Sequence, residues 1–266
     1  MYKALTIAGS DSSGGAGLQA DLKTFQELGV YGMSAITTIV SMDPDTWQHN
    51  VFPQAKEIVK SQLNTILSIG VNAMKTGMLG STELIELAAQ TIDEYKIENV
   101  VVDPVMICKG DDTVLDPDNA KSLREVLVPR ATVVTPNLFE AAQLSQQAPI
   151  KTIEEMKEAA KKIHALGAKY VVIKGGSRIE HEKAIDLFYD GQTFEILEGD
   201  RINTSYTHGA GCTYSAAITA ELAKGNSVRE AMRVAKEFIT AAIRHSFPFN
   251  KFTGPTNHLA YRKYVK

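Results

Sequence analysis

Apolar residues along the first two-thirds of the chain fall into two alternating patterns. Short, nearly continuous runs predict strands: KALTIA (Lys3–Ala8), SAITTIV (Ser34–Val40), NAMKT (Asn72–Thr76), NVVVDPV (Asn99–Val105), ATVVTPN (Ala131–Asn137) and KYVVIKGG (Lys169–Gly176). Between them, apolar positions recur at helical spacing in Gly17–Gly29, Pro53–Ile69 and Ser81–Tyr95. Asp116-Pro117 opens another helix as N-cap and N1 proline, Asn137 starts a further one, and Thr152 with Glu155 forms a capping box for a helix reaching Gly167. Strands apolar on both faces that alternate with amphipathic helices predict an α/β fold, a mostly parallel sheet flanked by helices on both sides. The pattern then changes. AIDLFYDGQTFEIL (Ala184–Leu197) predicts a β-hairpin with a type I′ turn at Asp190-Gly191. Two long helices follow, Gly211–Ala223 and Ser227–His245, the second with a Ser227/Glu230 capping box. No repeat, linker or charge block interrupts the chain, so a single domain over residues 1–266 is expected.

Sheets of this type carry their chemistry in the loops at the carboxyl ends of the strands. Here those loops are 9–17, 41–50, 76–80, 103–115, 136–140 and 175–178. Charge narrows the partners: 28 Lys+Arg against 31 Asp+Glu leaves a net charge of -3 and no basic field for nucleic acid or anionic membrane. No apolar run approaches the roughly 18–20 residues of a membrane helix, and Ala4–Ala8 is too short for a secretory leader. A soluble, cytoplasmic enzyme acting on small molecules is expected. Cys108 and Cys212 stand too far apart for a zinc knuckle and too few for a disulfide framework.

Two glycine loops stand out. In the first, Gly15-Ala-Gly17-Leu-Gln-Ala20 fits the G-x-G-x-x-A dinucleotide fingerprint, with Asp43 placed as a ribose-binding acid. Ser10–Gly14 intervene where the fingerprint wants its first glycine, so a dinucleotide-binding oxidoreductase is the weaker, different-class alternative. Asp11 at the mouth of that loop would repel phosphate yet suits a hydroxyl or ring nitrogen, or else caps an Asx-turn. The second loop, His208-Gly209-Ala210-Gly211-Cys212-Thr213, precedes an apolar helix. Its converging N–H groups and the helix dipole make an anion site. Cys212 at that helix start is expected to have a lowered pKa, against the commoner case of a packed structural cysteine. Asn137 and Glu140, one turn apart, could orient a hydrated Mg²⁺ or simply cap their helix. Lys174 sets a cation beside Gly175 and Gly176, which permit close approach of a nucleotide.

AGSDSSGGAGLQADLKTF, MKTGML, VVDPVM, TPNLFEA, VIKGG and HGAGCTYSAA, in that order and spread over almost the whole chain, resemble the ribokinase-like superfamily. The resemblance is to its pyridoxal kinases, the branch related to the hydroxymethylpyrimidine kinases of thiamine synthesis. It implies phosphorylation of a hydroxymethyl group on a nitrogen heteroaromatic ring. ATP would be the co-substrate and Mg²⁺ the metal, with a monovalent cation as a further candidate and a homodimer as the usual assembly. By matching position, Gly209, Ala210 and Gly211 would form the anion hole, with Cys212 as proton acceptor where most relatives carry aspartate. Lys174 would face the γ-phosphate; Asn137 and Glu140, joined by Asp103, would hold Mg²⁺ through water. Gly175, Gly176, Ser177 and Asp186 would contact the nucleotide. Asp11 would recognise the acceptor ring, walled by Met78, Val105 and Met106. The pyrimidine kinases carry glutamine at the end of the second strand; Met42 stands there in this sequence and cannot pair with an aminopyrimidine, which favours the pyridine. Cys108 lies in a glycine-bearing acidic segment expected to act as a lid. Its thiol would add to the aldehyde of pyridoxal with help from His49, or is an ordinary loop cysteine.

Overall fold

The computed structural model describes residues 1–106 and 117–265. Among these, nine strands form one sheet in the order β3-β2-β1-β4-β5-β6-β7-β8-β9. They are β1 (Lys3–Asp11), β2 (Tyr31–Met42), β3 (His49–Pro53), β4 (Ala73–Thr76), β5 (Val100–Val102), β6 (Val133–Val134), β7 (Tyr170–Gly176), β8 (Ala184–Tyr189) and β9 (Phe194–Gly199). The six from β2 through β7 in that order run parallel, and antiparallel strands close both edges.

The helices are α1 (Gly17–Glu27), α2 (Lys56–Ile69), α3 (Thr82–Tyr95), α4 (Pro117–Ser122), α5 (Leu138–Ser145), α6 (Ile153–Ala165), α7 (Ala210–Ala223), α8 (Val228–Arg244) and α9 (Ala260–Tyr264). After α4 the chain tightens through a π turn at Leu123–Leu127 and a 3-10 turn at Val128–Arg130. The continuous apolar strands divide their side chains between two cores. Leu5, Ile7, Met74, Val102 and Val171 point into one, with Leu63 of α2, Ile85 of α3, Ala141 of α5 and Met156 of α6. Ala4, Ala73, Val101, Val133 and Val172 point into the other, with Phe25 of α1, Ile218 of α7, Phe238 of α8 and Tyr261 of α9. Alternation across a strand makes this division, and it explains why the strands read as unbroken apolar runs.

Three local readings change. Strand β3 was not predicted, because HNVFP lies on the sheet edge with mostly exposed side chains and so carries no burial period. The helix expected from Pro53 therefore starts at Lys56. The β8–β9 connection is a four-residue turn, Asp190–Thr193, since Tyr189 pairs with Phe194. Of Asp190 and Gly191 only Gly191 has positive φ, which excludes type I′. Instead the Asp190 carboxylate accepts from the N–H groups of Gln192 and Thr193.

The chain leaves β1 in one direction for β2 and β3, then returns to its other side at β4. The carboxyl ends of β1 and β4 thus flank a topological switch point, where a crevice opens in sheets of this kind.

Candidate active site

The two glycine loops meet above that switch point. Gly209 has φ 79°, and a side chain there would collide with the Gly15 carbonyl, so only glycine permits the contact. The Asp11 carboxylate sits beneath, 6% exposed, accepting from the N–H groups of Ser13 and Ala16 at 2.8 Å each and from His208 Nε2 at 2.8 Å. Burial alone would raise its pKa, but the hydrogen bonds from His208 and Ser13 hold it well below the usual carboxylate range. Both oxygens are engaged inside the loop, so Asp11 organises the turn, the Asx-type reading, rather than presenting its carboxylate to an acceptor ring. The space a pyrophosphate would need beside Gly15 is taken by His208, and Asp43 is folded onto Asp45 and Thr46 in the β2–β3 turn. The dinucleotide fingerprint therefore has neither its cradle nor its ribose acid.

Helix α7 begins at Ala210 with no side-chain cap, leaving its first N–H groups without a capping side chain. Cys212 is half-buried in this first turn. Its expected low pKa is overturned: desolvation and the carboxylates of Asp21 and Asp103 push the thiol up to about 12, against the opposing pull of Lys75 and the Gly17 N–H. In this state Cys212 is a thiol.

Lys174, at the end of β7, stands beside the turn: a methyl group on Gly211 would lie 3.4 Å from its Nζ. Nζ is 2.6 Å from Asp103 Oδ1. Thr135 donates to the same oxygen at 3.3 Å and Ser215 to the other at 3.2 Å. Burial would lower the Lys174 pKa, but Asp103 and Glu140 raise it, so the ammonium stays charged. Asn137 and Glu140 form a capping box at the start of α5: Asn137 Oδ1 accepts from Glu140 N–H at 2.9 Å, and Glu140 Oε2 from Asn137 N–H at 2.8 Å. Burial pushes the Glu140 carboxyl up to about 7, with Lys174 pulling the other way. A buried carboxylate short of positive charge fits a nearby dication. Among the described residues no group of three His, Cys, Asp or Glu could hold a metal directly, so the fit is to a hydrated ion.

On the nucleotide side, a side chain at Gly175 would strike the Ile185 carbonyl; the glycine allows the bulge between Lys174 and Gly176 in the β7–β8 pairing. Asp186 is buried and committed. It accepts from Gly176 N–H at 3.2 Å and from Lys236 Nζ at 2.7 Å, and so fixes the bulge instead of offering its carboxylate to a nucleotide. Ser177 is exposed and opens a cleft of about 630 Å³ whose walls include Ile179, His181 and Arg201. On the acceptor side, Met42 pairs directly with His49 across β2 and β3, both half-buried. Met78 and Val105 are half-buried, Met78 near Gly9. Met106 is 2% exposed and belongs to the sheet core, where it also borders a small pocket with Val105, Leu79 and Leu123. Cys108 and Asp116 lie outside the described residues.

Sequence reasoning missed several buried polar groups. Lys75 on β4 is fully buried against Asp21 of α1, Nζ lying 2.9 and 3.0 Å from the two carboxylate oxygens, with Thr6 of β1 donating to Asp21 at 2.6 Å. A signal existed: Asp21 shares the buried stripe of α1 with Leu18 and Phe25, and Lys75 interrupts an apolar strand. His258, in the C-terminal segment, is buried and 3.0 Å from Thr213 Oγ1. No local pattern announced it.

The sequence profile of the family described as phosphomethylpyrimidine kinase matches residues 11–257. The pyridoxine kinase of Bacillus subtilis is 64% identical over 264 residues, covering 98% of this chain and 97% of that protein. The hydroxymethylpyrimidine/phosphomethylpyrimidine kinase of the same organism is 44% identical over 264 residues, covering 99% and 97%. The pyridoxal kinase of Staphylococcus aureus, solved in complex with AMP-PCP and pyridoxal, superposes with a TM-score of 0.95 at 50% identity, covering 99% of this chain and 96% of that one. On the matched profile, the identities and the shared sheet, the chain belongs to the phosphomethylpyrimidine kinase family of ribokinase-like enzymes.

Proposed function

We propose that this protein transfers the γ-phosphoryl group of ATP to the 5′-hydroxymethyl group of pyridoxal, and of pyridoxine and pyridoxamine, giving the 5′-phosphate. The observation that carries the reading is the placement of Lys174 Nζ beside Gly211 at the uncapped start of α7. A charged ammonium and converging N–H groups at one point suit a transferring phosphoryl group, whose reaction depends on positioning and charge stabilisation. The N–H groups of Gly209 and Gly211 hold its equatorial oxygens, the Ala210 N–H being given to Thr207 O at 3.1 Å, and Lys174 neutralises developing charge. Glu140 and Asp103, with Asn137, would hold Mg²⁺ through water, and the ion when bound would offset the triphosphate charge. Ser177 and the cleft beside it take the base and ribose side of the nucleotide. Cys212 receives the hydroxyl proton, a role that requires its thiol to ionise as the site is loaded.

Met42 at the end of β2, facing His49, argues for the pyridine acceptor, since a thioether offers no paired donor and acceptor to an aminopyrimidine. The pyrimidine kinase reading keeps support from the 44% identical relative. Steady-state phosphorylation of pyridoxal and hydroxymethylpyrimidine side by side separates them. A preference for pyridoxal of at least about tenfold in kcat/KM is expected; a preference for the pyrimidine overturns the substrate and leaves the chemistry in place.

Among the described residues no helix is long and apolar enough to cross a membrane, and a cytoplasmic location suits a kinase that draws on ATP. A single domain over residues 1–266 is our reading of one sheet running from β1 to β9. A homodimer is also part of the proposal. Edge strand β3 exposes Val51 and Phe52 next to Ile39 of β2, an apolar edge of the kind that proteins cover with a partner. Sedimentation of a Phe52→Glu variant as monomer, against a wild-type dimer, is the expected result.

A further inference from the structure

We infer that His208 and His258 are positioning residues for phosphoryl transfer, clamping the Gly209–Gly211 turn between the first glycine loop and the 254–258 segment. The inference rests on the reading that this turn receives the transferring group.

The physical problem is specific. Most helices steady their first turn with a side chain that accepts hydrogen bonds from the free N–H groups. Helix α7 has no such cap, and one would occupy the donors that an anion needs. The turn must therefore be held through its other atoms. His208, the residue before Gly209, is fixed on three sides. Its N–H donates to Gly254 O at 3.1 Å, its carbonyl accepts from Thr256 N–H at 3.1 Å, and its Nε2 meets Asp11 Oδ2 at 2.8 Å. That Asp11 oxygen also accepts from Ala16 N–H, the residue next to Gly17, whose own N–H reaches the Cys212 thiol.

The second grip falls on the Gly209 carbonyl. It accepts from both the N–H and the hydroxyl of Thr213, at 2.9 and 2.8 Å. With its hydrogen given to Gly209, the Thr213 hydroxyl accepts from His258 Nε2 at 3.0 Å, an arrangement that calls for the Nε2–H tautomer, and Thr256 Oγ1 lies 3.4 Å from the same hydroxyl. His208, His258, Thr213 and Thr256 are all buried, so these bonds compete little with water. Burial and the nearby charge of Lys23 push the His258 pKa down to about 4, which keeps the ring neutral and its tautomer defined at physiological pH. The chain end is thus wired to the anion hole through Thr213, and a displacement of the turn would move its N–H groups away from Lys174.

The test compares removal and conservative replacement at each grip. Thr213→Val is nearly isosteric and removes the acceptor; His258→Leu and His208→Leu remove the donors. Each is expected to lower kcat with pyridoxal about tenfold or more, while KM for pyridoxal and for ATP moves less than about twofold, since misplacement costs the transition state first. Thr213→Ser, His258→Gln and His208→Gln should recover most of kcat. The Thr213→Val/His258→Leu double variant should be no slower than the worse single variant, the mark of one shared contact. If His258→Leu fails to fold, Thr213→Val decides. Unchanged kcat in folded Thr213→Val overturns the inference, as would a His258 ring found by ¹⁵N NMR in the Nδ1–H tautomer. Gly211→Ala separates the two layers. If the added methyl beside Lys174 leaves kcat unchanged, the anion-hole reading itself fails and the clamp with it. If Gly211→Ala is slow while Thr213→Val is not, only the clamp fails.

Discussion

Two lysines, each at or near the carboxyl end of a parallel strand and each paired with an aspartate, sit in one crevice and do different things. Lys75 and Asp21 are fully buried, with side-chain exposures of 0% and 0%, and the contact is two-pronged. Lys174 and Asp103 retain 14% and 3%, and the ammonium leans on Asp103 through one oxygen while facing Gly211. Desolvation separates them. A fully buried lysine gripped by both oxygens of its partner is closed to a ligand, whereas one held by a single oxygen at the edge of a cleft can turn its remaining donors toward an anion. The first pair joins β1, β4 and α1 beneath the glycine loops; the second faces the nucleotide side. Identical chemistry becomes scaffold in one place and machinery in the other because of roughly one layer of burial.

The largest effect should come from breaking the scaffold pair. Lys75→Met leaves the Asp21 carboxylate buried with only Thr6 as partner. A loss of about 3–5 kcal/mol in stability is expected, read as a shift in the urea midpoint. Adding Asp21→Leu should return much of it, because an apolar pair avoids the uncompensated charge. At the other lysine, Lys174→Gln keeps a donor for Asp103 but removes the charge. Turnover should fall by about 10²–10³-fold, the scale of a lost transition-state donor, with a stability change well below that of Lys75→Met. Reversal of that order would mean that the roles of the two lysines have been exchanged.

Cys212 sharpens the contrast, because it feels both lysines and both of their aspartates. With its thiol pushed up to about 12, alkylation by iodoacetamide in a Cys108→Ser background should be slow at pH 8 and still rising at pH 10. As proton acceptor it should nevertheless matter: Cys212→Ala is expected to lower kcat about 10²-fold, the lower range for a general base. Near-normal turnover of that variant across roughly pH 6–9 would take the thiol out of the chemistry and leave Lys174 with the turn as the whole of it.

The same contrast explains what the amino-acid pattern revealed. Strands and helices were legible because burial on both faces writes continuous apolar runs, and β3 was not, because an exposed edge writes none. The residues of the Lys174 cluster announced themselves by lying at or just after strand ends within short motifs, VIKGG, VVDPVM and TPNLFEA. Lys75 and Asp21 lie inside two of the same motifs, MKTGML and AGSDSSGGAGLQADLKTF, yet no local pattern pairs them, because their contact joins elements 54 positions apart and shows only as polar residues on apolar stripes. His258 reaches Thr213 across 45 positions from a segment without periodicity, so nothing local could mark it. Asp11 and Asp186 show the converse failure. Asp11 spends its oxygens on its own loop and on His208, and Asp186, on β8, on the β7 bulge and Lys236, a distinction that depends on which way two oxygens point.

The smallest predicted effect tests whether proton binding belongs to the Lys174 cluster alone. Glu140 faces Lys174 and Asp103, and burial pushes its pKa up to about 7 from an ordinary 4.5. Between those values the folded protein holds a proton that the unfolded chain has released, so stability must fall as pH rises through this window and level off above it. His258 acts in the opposite sense. Its pKa is lowered to about 4, so between there and 6.5 the unfolded chain binds the extra proton and stability rises with pH. The two slopes overlap in the wild-type curve, and Glu140→Gln removes only the first. Glutamine still serves the capping box with Asn137, so the helix start survives. From pH 5 to pH 7 the variant should gain on the wild type by on the order of 2 kcal/mol, since each tenfold change in proton affinity is worth about 1.4 kcal/mol. Urea midpoints measured at both pH values read this directly. Parallel curves would place the excess proton elsewhere. A larger gain with Lys174→Gln already in place, because the opposing cation is gone, would assign the proton to the open lysine's cluster rather than to the sealed pair.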